Sequence, residues 1–388
     1  MSAAKRIGMG LVGAGFAGAH HVDAVRRLGF VDVVAVAGST DASARDKARL
    51  LGIPTAYGRY EALLDDPAVH VVHNATPNHL HYAVTSAAIA RGKHVVSDKP
   101  LAMTAEQARN LLAQAERAGI VHAVTFNYRG NPLVQQARRA IARGDIGVPH
   151  LVHGQYLQDW LAKTTDYSWR LDPDKGGPSC AFADIGSHWC DLAEHVTGLR
   201  ITQVLGDLTT VVRRRHTPTA SREAFAGGGE MASEELAEMT SDDLATVLLR
   251  FDNGATGSVS VGQVCAGHKN DLAIEVCGDS GSIAWRQEQQ NELWLGHRDR
   301  ANERLDKDPS LVDAQVRRYT RLPGGHQEGW ADAFRNVMSD IYECIAAHQG
   351  SAAPHPPAFA TFADGYRAHR IVDAVLASAK AGGVWTPP

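Results

Sequence analysis

Six residues near the start, Gly13-Ala14-Gly15-Phe16-Ala17-Gly18, leave this chain few ways to fold. They stand between an apolar run at 7–12 and a helix-forming stretch at 19–28. A strand that turns at once into a helix needs positions without a Cβ. The same positions let backbone N–H groups close on a pyrophosphate at the positive end of the helix. A Gly-x-Gly-x-x-Gly string alone is a weak signal, but here a strand precedes it and further strand–helix units follow. The loop therefore predicts a dinucleotide held by Gly13, Gly15, Phe16, Ala17 and Gly18.

The units that follow support this. Apolar runs at 31–37, 69–74, 94–97 and 121–126 alternate with helical stretches at 42–51, 80–91 and 104–118. That alternation predicts a parallel sheet with helices on both faces. After about residue 130 the pattern changes. A helix at 133–143 leads into runs rich in Val, Thr, Ile and Leu at 150–158, 201–213, 244–251, 257–264, 271–277 and 282–286. Turn chemistry separates several of them, at Asp252-Asn253-Gly254 and Gly278-Asp279-Ser280-Gly281. The expectation is a mostly antiparallel sheet whose outer face is a subunit interface. Residues 214–243, glycine-rich and acidic, read as a mobile excursion. Helices are expected near 327–347 and 359–381. With 388 residues, more than one core usually holds, the division falls at 1–129 and 130–388, with the C-terminal segment free to pack back on the first domain.

Composition narrows the classes. Hydrophobic residues at 44% and charged residues at 21% exclude a disordered or fibrous chain. A net charge of −4 gives no general attraction for nucleic acid or an anionic membrane. The five cysteines are odd in number and form no CxxC pair, so reduced thiols are expected and no metal site. No run approaches a membrane span and no signal peptide is legible, so the expected location is cytoplasmic.

The choice of nucleotide stays open. An acid at the end of the second strand holds the ribose 2′-hydroxyl of NAD, and an Arg there suits the 2′-phosphate of NADP. This chain has Gly38-Ser39-Thr40 instead. Ser39 and Thr40 can bond either group. Asp41 and Arg45 are either ribose and phosphate ligands or plain helix-surface charges.

Three further strings carry a family resemblance: Asn74-Ala75-Thr76-Pro77-Asn78-His79-Leu80-His81, Ser97-Asp98-Lys99-Pro100-Leu101 and Asp184-Ile185-Gly186-Ser187-His188. With them, nearly the whole chain resembles the glucose–fructose oxidoreductase / inositol dehydrogenase (Gfo/Idh/MocA) family. The Lys-Pro pair is the most specific mark; Asp98 stands where the family commonly has Glu. The resemblance implies a Rossmann domain, then an α/β domain with a large, mostly antiparallel open sheet that joins subunits into a homodimer or homotetramer. It also places Lys99 beside the nicotinamide ribose and the reacting hydroxyl, where an ammonium steadies a developing alkoxide. Pro100 is a position where a cis bond is cheap, and in the family that bond helps aim the lysine.

Thr76, Pro77, Asn78, Asp98 and Asn127 are expected along the dinucleotide. His81 either caps the following helix or reaches the cofactor. His20 and His21 are expected to pack against the cofactor side of the first helix. Asp184 and His188, four residues apart, share a face if their segment is helical. Histidine titrates near neutrality and can take and return a hydroxyl proton, with a carboxylate to orient it. The family places its base and partner acid there. Asp191 and His195 continue the stripe as a solvated polar face or a metal site, although the outer members are too far apart for one ion.

Tyr128 offers a hydrogen bond to substrate, while Arg129 either clamps an anion or ties the domains together. The segment holding Tyr156, Gln158, Trp160, Asp166, Tyr167, Trp169 and Arg170 pairs aromatic faces for a pyranose with polar groups for its hydroxyls. Its plainer reading is core packing, with an Asp166–Arg170 salt bridge. His326, in Gly324-Gly325-His326-Gln327-Glu328-Gly329-Trp330, is a substrate contact or part of a helix cap.

The reading is an NAD- or NADP-dependent dehydrogenase, of the class acting on CH–OH groups. It oxidises a ring hydroxyl of a sugar, anhydrosugar similar to levoglucosan, glycoside or cyclitol. Its catalytic residues are Lys99, Asp184 and His188; its substrate contacts are these three with Tyr128, Gln158, Trp160, Trp169, Arg170 and His326. Two rivals share the fold: a redox-neutral glycosidase using retained NAD, and a non-catalytic sugar- or dinucleotide-responsive regulator.

Overall fold

The computed structural model describes residues 6–218, 232–349 and 357–388. Its chain divides into two compact units, Met1–Asn127 with Phe334–Tyr366, and Tyr128–Ala333 with Arg367–Pro388.

The first unit runs β1 (Ile7–Val12), α1 (Phe16–Arg26), β2 (Val31–Ala37), α2 (Asp41–Leu51), β3 (Thr55–Tyr57), α3 (Tyr60–Leu64), β4 (Val71–Asn74), α4 (Asn78–Ala90), β5 (His94–Ser97), α5 (Ala105–Ala118) and β6 (His122–Val124). The strands lie in the order β3-β2-β1-β4-β5-β6, and every pair is parallel. This is the doubly wound order that the strand–helix alternation predicts. All six residues of β1 are buried, as in a strand covered on both faces. Thr40 and Thr104 start α2 and α5 by accepting the N–H groups of Ser43 and Gln107. Strand β3 is an addition to the expected five. Its three residues are too few to show a period.

The second unit opens with α6 (Pro132–Arg143), β7 (Pro149–Leu157), α7 (Pro173–Gly176) and α8 (Ser187–Thr197). It continues with β8 (Ile201–Thr209), β9 (Arg214–Pro218), β10 (Ala232–Glu238), β11 (Leu244–Phe251), β12 (Thr256–Gly262), β13 (Asp271–Gly278), β14 (Gly281–Arg286), β15 (Glu292–His297) and β16 (Glu303–Asp306). Helix α9 (Trp330–Gln349) falls mostly in the first unit, and α10 (Phe362–Lys380) mostly in the second. Eight strands form one sheet in the order β16-β15-β14-β13-β7-β12-β11-β8, antiparallel except for the β7–β12 pair.

The inner face, with Val152, Val247, Val259, Leu272 and Ile274, is buried in one core with Leu133, Trp189, Ile371 and Val375 of α6, α8 and α10. The outer face carries a cleft of about 480 Å³, lined among others by His153, Glu275, Arg286 and Trp294.

The excursion expected at 214–243 is corrected in its described part. Arg214–Pro218 and Ala232–Glu238 pair as an antiparallel ribbon, and Asp242 and Asp243 are buried. Gly227–Gly229 lie outside the described residues. Helix α9 begins at Trp330, three residues later than expected, because Glu328 is drawn into the interior and Asp332 caps the Gly329 N–H. Among the described residues no helix is long and apolar enough to cross a membrane.

Candidate active site

In the first unit, four loops leave the carboxyl ends of β1, β4, β5 and β6, the edge where ligands of such sheets bind. The glycines of the first loop have different reasons to be there. Gly13 has φ +89°, and a Cβ on it would stand 2.5 Å from the Ala75 carbonyl oxygen. A Cβ on Gly18 would stand 2.2 Å from the Gly13 oxygen. Those two are required by packing. Gly15 is not: nothing lies within 4 Å of the Cβ it lacks. It is the N-cap of α1, makes no side-chain cap, and no acid occupies the first turn. A helix start with no side-chain cap and open room at Gly15 suits a pyrophosphate. Phe16 is 45% exposed beside this loop, its ring edge-on to His20.

Ser39 and Thr40 are exposed just past β2, and the Thr40 hydroxyl is engaged as the cap of α2. Asp41 folds against Gly58, where an added Cβ would meet its carboxylate. Arg45 is exposed on α2.

The second loop is shaped by buried Asn74. Its Oδ1 accepts the Thr76 hydroxyl (2.7 Å) and N–H, and its Nδ2 donates to the His81 carbonyl and Thr85. Pro77 is the N-cap of α4 and Asn78 its first residue. His81 does not reach outward. It is 1% exposed, with Nε2 2.8 Å from the Thr76 carbonyl and Nδ1 2.5 Å from that of Pro100. It binds the second loop to the third, so its place is that of a positioning residue.

In the third loop, the Asp98 carboxylate accepts the Lys99 N–H (2.9 Å) and the Thr125 hydroxyl (2.6 Å). Desolvation pushes its pKa up, but His21, the Thr125 bond, Lys99 and His81 together hold it below the ordinary carboxylate value. The Lys99–Pro100 bond is cis. In the fourth loop Asn127 is 4% exposed, and its amide nitrogen has no partner among the described residues. An open glycine cradle and an unpaired buried donor on one sheet edge fit a dinucleotide.

His21 packs inward. Its Nδ1 lies 2.8 Å from His73 Nδ1, and His73 Nε2 lies 2.9 Å from the Tyr342 hydroxyl. Burial lowers the His21 pKa to about 4 and that of His73 well below its ordinary value.

In the second unit, Asp184 lies in a π-helical turn, Phe182–Gly186, that runs directly into α8. The expected regular helix is thus widened at the acid, a geometry frequent at functional sites. The start of this helix is capped from a distance: the Asp242 carboxylate accepts the N–H groups of Cys180 (3.0 Å) and Phe182 (2.8 Å). Burial pushes Asp242 above the usual carboxylate value, against the pull of those bonds.

The Asp184 carboxylate accepts Gln263 Nε2 at 2.9 Å and lies 3.4 Å from Arg170 Nε. Arg170 therefore does not pair with Asp166, as the loop reading had it. It faces Asp184, with its guanidinium 4.6 Å over the Trp169 ring. His188 is 7% exposed, with the edges of Tyr128 and Tyr156 against it at centroid distances of 5.3 and 6.3 Å. Burial raises the pKa of both phenols, so they stay neutral beside it. Gln158 and Trp160 are joined, the indole N–H donating to Gln158 Oε1 at 2.8 Å. His326 is exposed in the loop before α9, its N–H bonded to the Pro323 carbonyl.

The solvated stripe and metal readings of Asp191 and His195 are replaced by a buried structural pair. Asp191 takes two bonds from Arg129. Gln135 Nε2 faces His195 Nε2 at 3.2 Å. Desolvation, then Arg129 and Arg138, push that histidine well below its ordinary pKa.

Gln263, Asp242, Thr125 and Asn270 were missed in the sequence. Each acts through space on a motif residue far away in the chain, and no local pattern marks it.

Residues 7–126 match the oxidoreductase family with an NAD-binding Rossmann fold, and residues 134–284 match the GFO/IDH/MocA C-terminal domain. The chain is 32% identical to levoglucosan dehydrogenase of Pseudarthrobacter phenanthrenivorans, over 97% of this chain and 96% of that one. Among solved structures, levoglucosan dehydrogenase in complex with NADH and levoglucosan superposes with a TM-score of 0.87 at 28% identity, covering 99% of both chains. An inositol dehydrogenase homolog complexed with NAD+ from Azotobacter vinelandii gives 0.87 at 27% identity, over 100% of this chain and 98% of that one.

Proposed function

The chain belongs to the GFO/IDH/MocA oxidoreductase family, and from that membership we propose that it oxidises one ring hydroxyl of a small sugar or cyclitol to a ketone, with a levoglucosan-like anhydrosugar as the leading substrate. The observation that carries this reading is the setting of Asp184 and of His188, one turn apart in the chain. The acid is held as an acceptor by an amide and a guanidinium, and the imidazole is walled by two neutral phenols.

Gly13, Gly15, Gly18, Thr76, Asp98 and Asn127 hold the dinucleotide, whose nicotinamide supplies the hydride acceptor. His188 takes the hydroxyl proton as the C–H bond breaks. Asp184 orients the imidazole or the substrate and favours the charged histidine. The Lys99 ammonium stabilises the oxygen while negative charge builds on it. Trp169 and Arg170 form one wall of the sugar site, and Trp160 with Gln158 another. Ser39 and Thr40 leave both NAD and NADP to be tried.

The test is the absorbance of reduced nicotinamide, with NAD or NADP, against levoglucosan, glucose, xylose, myo-inositol and aryl glucosides. Formation of NADH or NADPH with one of them supports the reading and fixes the coenzyme. A flat trace with every member overturns it for these substrates.

A further inference from the structure

Five side chains, two of them with their rings against His188, form a hydrogen-bonded set whose proton directions can be worked out atom by atom. Trp160 Nε1–H is a donor only, and it faces Gln158 Oε1 at 2.8 Å. That fixes the Gln158 amide, so Nε2 is the atom turned to Asn270 Oδ1, at 2.9 Å. Asn270 is fixed in turn: Oδ1 accepts, and Nδ2 donates to the Tyr128 oxygen at 3.0 Å. The Tyr156 hydroxyl has one proton and gives it to Asn270 Oδ1, at 2.8 Å. The two phenol oxygens are 2.6 Å apart, and with the Tyr156 proton committed, Tyr128 must be the donor between them.

The result is a closed ring in which every bond runs the same way, from Asn270 to Tyr128 to Tyr156 and back to Asn270. Such a ring strengthens each of its members. Asn270 is itself pinned, since Glu288 Oε1 accepts its backbone N–H at 2.9 Å. The Tyr128 oxygen has given its proton and accepted one, and it retains a single lone pair. Its ring lies 5.3 Å from that of His188.

We propose that this ring, set in direction by Trp160 and closed by Asn270, makes Tyr128 an acceptor only toward bound substrate. The site then requires a hydroxyl that donates, next to the hydroxyl being oxidised. A ketone, ether oxygen or fluorine at that position meets a lone pair with no proton between. The inference rests on the polyol reading above. It adds a selection rule: a ring already oxidised at the neighbouring carbon is refused.

The experiment compares kcat/KM for the turned-over substrate with its monodeoxy and monodeoxy-monofluoro analogues. Fluorine keeps acceptor character and loses the proton. At one ring position both analogues are expected to fall roughly tenfold or more, and equally, since an unmet buried acceptor is left in each case. The companion variant is Tyr156→Phe. It releases the Tyr128 proton, so Tyr128, still accepting from Asn270, becomes a donor. In that variant the fluoro analogue should recover relative to both the deoxy analogue and the parent. A protein that is merely loosened would lose all three alike. If wild type accepts the fluoro analogue at every position within about threefold of the parent, the inference is overturned. Neutron diffraction of the deuterium-exchanged protein reads the ring with no ligand. A deuteron on Tyr156 directed at Tyr128 overturns the inference even if no sugar is ever turned over. The expected map, with that deuteron directed at Asn270, leaves it standing while the polyol reading alone fails.

Discussion

At the scale of single residues, chemistry and support are separable. Lys99→Ala and His188→Ala are each expected to lower kcat by about 10²–10⁴-fold, since each removes one charge-stabilising or proton-transferring group. Dinucleotide affinity, read by fluorescence quenching, and the melting temperature should stay near wild type. Near-normal turnover in both variants contradicts the assigned roles. The buried His21 makes a different prediction. Its pKa is about 4 in the folded chain against 6.5 for the free side chain. Between those values the unfolded chain binds more protons, so stability is intact above about pH 6.5 and is lost as pH falls toward 4. By linkage that is roughly 3 kcal/mol for this one group. Urea midpoints at pH 7.5 and 4.5 measure it, and His21→Asn, which retains an acceptor toward His73, should flatten the dependence.

The motif residues Gly13, Lys99, Asp184 and His188 were legible because their spacing along the chain carries the signal. Their supports were not. Asn74 was visible only as a letter in a motif, and Gln263 meets Asp184 across an interval that no periodicity spans.

At the scale of elements, the long periodic pieces were readable and the short polar ones were not. Strand β16, Glu-Arg-Leu-Asp, has a single apolar residue to mark it. The ribbon of β9 and β10 hides in a stretch whose glycines and acids imitate a loop. The same acids include the cap of the Asp184 helix. Asp242→Ala should cost about 1–2 kcal/mol by stranding the Cys180 and Phe182 N–H groups. It should also lower kcat, because the π-helical turn carrying Asp184 starts there. Calorimetry and steady-state kinetics on the same sample test both effects. An unchanged melting temperature would show that the cap contributes little.

At the scale of the whole molecule, the eight-stranded sheet has one face packed on helices and one that, among the described residues, is not. The outer face presents Leu248 at 43% exposure and Trp294 at 38%, with charged residues around its cleft. A second copy of the chain is expected to cover it. Light scattering at micromolar concentration should give a mass of at least two chains, and Leu248→Glu with Trp294→Arg should reduce it. A monomeric wild type would refute that assembly.

The central position of β7 bears on how the chain is made. Leu151 pairs with Thr256 on one side and Cys277 on the other, so neither neighbour exists until the ribosome is far downstream. The six strands of the first sheet are all translated by Val124. During synthesis the nascent chain must therefore carry an unpaired, half-apolar strand through more than a hundred further residues. Contacts so distant in sequence close slowly. Truncated chains stalled before residue 262 should be the ones that chaperones hold and proteases cut, and cutting should fall away once β13 has emerged.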